Sequence, residues 1–148
     1  MPTPERPSEA GLAAWRMFLV AHSVVTDRLE ADMRASSGLT LARYDVLLQL
    51  SEAPGGRLRM TDLARAVLLS KSGLTRLVGR MCEEGYITRT PATDDRRSIV
   101  VTMTARGRST FRRAAPTHLR SVQEHFAGHF RDGEAEELRV LLERVATT

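Results

Sequence analysis

In the middle of the chain the apolar positions keep a helical spacing and then lose it. Leu74, Leu77, Val78 and Met81 recur at i, i+3, i+4 and i+7, the buried stripe of a helix over 70–85, with Ser70 as its N-cap and Gly85 just past its end. Ahead of it Leu63, Ala64 and Val67 predict a short helix over 62–67 capped by Thr61, and Leu68 and Leu69 lead from that helix into the next. Behind it, 86–90 and 98–103 predict two antiparallel strands, the second rich in the β-branched Ile99, Val100, Val101 and Thr102. Helix, tight turn, helix and hairpin, in that order, make a winged helix-turn-helix.

The flanking patterns are helical. Leu12, Trp15, Leu19, His22, Thr26, Leu29 and Met33 line one stripe of a helix over 8–35, widened by Phe18, Val20, Val24 and Val25. A stripe that wide exceeds what one short domain can cover, so part of it is expected to pack on a partner subunit. Ser36, Ser37 and Gly38 break that helix; Thr40 caps the next, over 41–51, whose Leu41, Tyr44, Leu47 and Leu48 face inward; Pro54, Gly55 and Gly56 then force a turn. Residues 57–60 fit a short strand pairing with the hairpin. From Thr104 to Gly128 a long helix carries Phe111, Ala115, His118, Leu119, Val122 and Phe126 along one side, with a kink expected at Pro116. A last helix, 134–146, carries Leu138, Leu141, Leu142 and Val145.

The expected fold class is therefore mainly α with a small β-hairpin wing (α+β). A single domain, 1–148, holds a winged helix-turn-helix lobe over 41–103 and dimerisation helices over 8–35 and 104–147.

What the lobe can touch depends on its outer face. Lys71, Ser72, Gly73, Thr75, Arg76, Gly79 and Arg80 project from the second helix, offering hydroxyls and guanidiniums with little bulk, which suits a DNA major groove. The loop PATDDRR puts Arg96 and Arg97 at or near the hairpin tip, where a guanidinium can enter the narrow, electronegative minor groove. Asp94 and Asp95 would repel a phosphate, so they are expected to hold the arginines and the loop through charge-assisted hydrogen bonds. Charge adds a little to this. The net charge is +4, and residues 71–113 carry ten basic and four acidic side chains, against eight and eight before them and four and six after. The excess thus falls on the proposed reading helix and wing. Its carriers are almost all arginines, which also fits a GC-rich genome, so the total charge is a weaker argument than its placement.

These pieces resemble the MarR-type (multiple antibiotic resistance regulator) transcription factors over nearly the whole chain. The resemblance is carried by GLTLARYDVLLQL from Gly38, LRMTDLARAVLLSKSGLTRLVGRMCEEGYITR from Leu58 and DDRRSIVVTMTARGR from Asp94. It implies a triangular homodimer joined by its terminal helices. Such a dimer binds a pseudo-palindromic operator in double-stranded DNA and often releases it when a small phenolic or other aromatic molecule binds. The family's Asp-x-Arg wing motif falls on Asp95 and Arg97, and its reading-helix contacts on Ser70 to Arg80. Its effector pocket, between the dimer helices and the DNA-binding lobe, points to Trp15, Arg16 and His22, an aromatic wall with a cation nearby, although core packing explains Trp15 equally well. Peroxide-sensing members use a cysteine near the first or second helix, where this chain has none. Urate-sensing members have an extra N-terminal helix, for which Trp15 leaves no room.

Other candidates are blander. Cys82, late in the reading helix, reads as a small buried hydrophobe rather than a reactive thiol. His118, His125 and His129 share a helical face, but EHFAGH is not HExxH and fixes no acidic ligand, so no metal is expected. No cofactor is expected either. A phosphate loop, a paired-carboxylate constellation and a nucleophile with its base are all absent from the sequence, which argues against an enzyme. One cysteine forms no internal disulfide, and neither a signal peptide nor a membrane-length apolar run is present, so a soluble cytoplasmic protein is expected. The alternatives are a winged-helix protein-interaction module, against which the basic outer face speaks, and a constitutive DNA-binding protein without a ligand.

Overall fold

The computed structural model describes residues 5–68 and 71–148. Its elements run α1 (Glu9–Ser37), α2 (Leu41–Glu52), β1 (Arg57–Arg59), α3 (Met60–Ala66), α4 (Leu74–Glu83), β2 (Ile87–Pro91), β3 (Ile99–Met103), α5 (Ala105–His125) and α6 (Glu134–Ala146), with 3-10 turns at Pro54–Gly56 and Ala127–His129. The fold is mainly α with a three-stranded antiparallel sheet, and the α3, α4, hairpin succession is a winged helix-turn-helix. The chain divides into two units, one of residues 1–31 and 121–148, the other of residues 32–120.

The second unit has the core. Leu47 and Leu50 of α2, Leu63 of α3, Val78 and Met81 of α4, and Ile87 and Val101 of the sheet are all fully buried. The sheet order is β1-β3-β2. Arg57, Leu58 and Arg59 of β1 pair with Thr102, Val101 and Val100, and Ile87 to Pro91 of β2 pair with Met103 to Ile99 on the other side of β3. The short strand expected at 57–60 is present, one residue shorter.

Local chemistry explains most boundaries. The Thr40 hydroxyl accepts the Arg43 N–H at 3.2 Å, capping α2 as its position suggested. Gly85, at φ +83°, ends α4 in a left-handed turn. There the Tyr86 N–H reaches the Met81 carbonyl at 3.0 Å and the Gly85 N–H the Cys82 carbonyl at 3.1 Å, the paired bonds of a Schellman cap.

Four helix boundaries differ from expectation. The third helix starts at Met60, not after Thr61, and no side chain caps it. Arg59 is still extended because it pairs with Val100, so the chain leaves the sheet and turns helical at once. The reading helix starts at Leu74 rather than 70. Gly73 precedes it at φ +74°, a left-handed conformation that cannot continue a right-handed helix, so Lys71 and Ser72 lie ahead of the helix in a turn. Ser70, the expected cap, lies outside the described residues. Thr104 caps α5 instead of beginning it, its hydroxyl accepting the Gly107 N–H at 3.0 Å while donating to the Gly85 carbonyl at 2.6 Å. Beyond that, α5 runs unbroken through Pro116 and ends at His125, short of the expected Gly128.

In the first unit Leu29 is buried, but many apolar side chains stay on the surface. Trp15, Phe18 and Leu19 of α1 and Leu141 and Val145 of α6 are exposed, Val145 to 77%. Among the described residues no helix is long and apolar enough to cross a membrane.

Candidate nucleic-acid interface

The helix α4 has two chemically distinct sides. Leu74, Val78 and Met81 are buried against the core and Leu77 packs partly on it, the stripe read from the spacing. Thr75, Arg76 and Arg80 are exposed, with half-buried Gly79 among them, and a Cβ at Gly79 would meet nothing within 4 Å. Lys71, Ser72 and Gly73 are exposed too and, although not helical, stand with Thr75 and Arg76 along one groove of about 630 Å³. Its other wall is Met60, Thr61 and Ala64. Thr61 and Ala64 are thus additions to the candidate surface. Their signal in the sequence is their place on the side of α3 away from buried Leu63.

The wing is braced at two points. At its tip Asp95 Oδ1 accepts the Arg97 N–H at 3.0 Å and the Ser98 N–H donates to the Asp95 carbonyl, also at 3.0 Å, so the aspartate shapes the turn through backbone bonds. Arg96 and Arg97 are exposed beside it. Asp94 does something else. Its carboxylate accepts from Arg59 Nη2 of β1 at 2.5 Å, and that hydrogen bond, ahead of any other cause, holds its pKa below the usual range. Asp94 therefore ties the hairpin to the first strand and, contrary to expectation, does not hold Arg96 or Arg97. The pairing spans a separation in sequence that no local pattern reveals.

The other candidates scatter. Trp15 and His22 fall near one side of α1, seven residues apart, while Arg16 lies about 100° round the helix from Trp15. All three are exposed, and Trp15 stacks on Phe18 with ring centroids 6.1 Å apart. Cys82 is half-buried against the core. His118 stacks on Tyr44, His125 ends α5 and His129 sits in the following 3-10 turn. Among the described residues no group of three His, Cys, Asp or Glu side chains is placed to hold a metal ion.

Comparison with known proteins gives three relatives of use. A family model described as MarR family matches residues 37–98, from the end of α1 to the wing tip. The crystal structure of AbsC, a MarR family transcriptional regulator from Streptomyces coelicolor, superposes with a TM-score of 0.87 at 34% identity, over 97% of this chain and 96% of that one. Sco3205, a MarR family regulator from the same organism solved in complex with DNA, superposes with a TM-score of 0.89 at 26% identity, over 99% of this chain and 91% of that one. The HTH-type transcriptional repressor YetL of Bacillus subtilis is 27% identical over 115 residues, 76% of this chain and 69% of its own length.

Proposed function

The chain belongs to the MarR family of transcriptional regulators, and on that footing we propose that it is a homodimeric DNA-binding repressor acting on a pseudo-palindromic operator. The family is one of regulators rather than enzymes. In this reading the Thr75, Arg76 and Arg80 face of α4 lies in a major groove, with Lys71, Ser72 and Gly73 beside it, while Arg96 and Arg97 enter the adjoining minor groove. Asp95 shapes the wing. The observation that carries the reading is the division of α4: three apolar residues seat it in the core, and the opposite side is small, hydroxylic and basic. The DNA complex of Sco3205, a chain of the same fold, supports it.

The exposed apolar side chains of α1 and α6 supply the surface for a second copy, and a two-fold dimer needs two half-sites centred about 10 base pairs apart or a small multiple of that. An aromatic acid held at Trp15, with Arg16 and His22 as candidate partners, would favour a separation of the two reading helices that no longer fits the grooves, shifting the dimer between two populations.

Fluorescence anisotropy of the purified protein against DNA from its own upstream region and a scrambled duplex, at two salt concentrations, tests the core of the proposal. Selective binding at a dimer's stoichiometry is the expected result. Equal binding to both duplexes, collapsing with salt, would leave only the electrostatic attraction of a basic protein for DNA and sink the proposal.

A further inference from the structure

Two side chains of α2 with no part in the proposed interface hold the end of α4 and the chain that leaves α3. Arg43 forks onto Glu84, with Nε 3.0 Å from Oε2 and Nη2 2.6 Å from Oε1, and its Nη1 also reaches the Thr40 hydroxyl at 3.3 Å. Glu84 is the residue that closes α4. A carboxylate there faces the negative end of the helix dipole, an unfavourable position unless a cation meets it. Arg43 meets it in the bidentate geometry that only arginine offers, with the pair's side chains 20% and 34% exposed. Asp45, buried, accepts the Leu68 N–H at 3.0 Å, holding the chain where it leaves α3, ahead of the start of α4 at Leu74. Arg43 and Asp45 are two residues apart on one helix, and between them Tyr44 anchors α2 in the core. A helix tied at its C-terminal end to a third element that also holds the chain leaving α3 has less freedom to tilt or slide, and a recognition surface works only while its side chains are held within a fraction of an ångström.

We infer that Arg43 and Asp45 are positioning residues for sequence reading: by gripping Glu84 and the Leu68 N–H they set how α4 is presented to a DNA groove. The inference rests on the proposed DNA-reading role. Buried Asp45 makes no DNA contact, and Arg43 has its guanidinium committed to Glu84 and Thr40. Losing the grip therefore alters selectivity, whereas losing a phosphate contact weakens binding to every sequence alike.

The experiment uses the full-length protein and a duplex that the wild type has enriched from a randomised pool, with a scrambled duplex of the same composition as reference. Arg43→Lys keeps the charge and loses the fork. It is expected to lower the preference for the selected duplex by about tenfold, the worth of one base contact, while leaving scrambled-duplex affinity and the salt slope as they were. Asp45→Ala gives the same signature. Exchanging the pair, Arg43→Glu with Glu84→Arg, restores most of the preference, which a merely weakened fold would not do, and Tm measurements on each variant show that it is folded at the assay temperature. Unchanged selectivity in Arg43→Lys overturns the inference. So does an equal loss on both duplexes, or a folded exchange variant that fails to recover. A wild type that enriches no duplex overturns the DNA-reading role itself, and the grip with it.

Discussion

His118 of α5 lies on Tyr44 of α2 with ring centroids 4.3 Å apart and planes tilted by 24°, and its buried Nδ1 has no hydrogen-bond partner among the described residues. Burial pushes the imidazole's pKa below its usual 6.5, and the Asp45 carboxylate, pulling the other way, does not restore it. The folded protein thus prefers neutral His118, while the unfolded chain takes up the proton near pH 6.5. With more protons bound to the unfolded state, stability falls as pH drops through 6.5, and the part of it owed to neutral His118 is gone once pH is below the native pKa, where both states carry the proton. Urea titrations between about pH 7 and pH 5 are expected to show a falling midpoint, and His118→Phe, which keeps the stack, should flatten that fall. A fall of the same size in the variant would assign it to other groups.

The wing makes a separate prediction. If Arg97 is inserted in a minor groove, Arg97→Ala removes about 1 to 3 kcal/mol of operator affinity and one phosphate's share of the salt dependence. Asp95→Ala, which deletes the acceptor of the Arg97 N–H, should lower affinity in the same direction with no charge lost from the basic side. Anisotropy at several salt concentrations reads both, and an Arg97→Ala protein that binds like wild type would take the wing out of the interface.

Dimerisation through the terminal helices is tested at Leu141 and Val145, both on the surface of α6. Replacing either with Asp puts a charge where an apolar contact is proposed. Sedimentation should then show a monomer, and operator affinity should drop by about a hundredfold or more, since one half-site no longer helps to hold the other. A dimer that survives both substitutions would mean that another surface joins the subunits.

Gly107 of α5 allows no side chain. A Cβ there would overlap the Tyr86 carbonyl oxygen, which is backbone, and crowd Met103. That same carbonyl accepts the Thr104 N–H at 3.0 Å, so relief by displacement would disturb the start of α5 together with the entry to β2. Gly107→Ala is expected to cost about 1 to 3 kcal/mol, read as a lowered Tm with the helical circular dichroism kept.

The parts of this fold that sequence made legible are those where side-chain period and backbone geometry answer to the same residues. Leu74, Val78 and Met81 announce one helix, and Ile99 to Thr102 one strand, because burial acts on neighbours at a fixed spacing. The start of α4 was not legible in this way. The stretch from Ser70 to Gly73 has the composition of a helix N-terminus, and nothing local says that Gly73 adopts a positive φ. Thr61 failed as a cap because β1's pairing with Val100, a distant residue, decides where α3 begins. The same holds at the candidate site: the exposed face of α4 was readable, whereas the Arg59 to Asp94 tie and the Arg43 to Glu84 fork join residues that only the folded chain brings together.

The sheet order β1-β3-β2 has a consequence for how this chain is made. The stretch from Met60 to Tyr86 leaves the sheet at β1 and returns to it at β2, yet those two strands are not bonded to each other; both depend on β3, which comes later in the sequence. During synthesis the reading helix is therefore an open loop until residues 99–103 have left the ribosome, and one strand then closes it at both ends. A transcript cut short within the wing yields no half-working DNA reader.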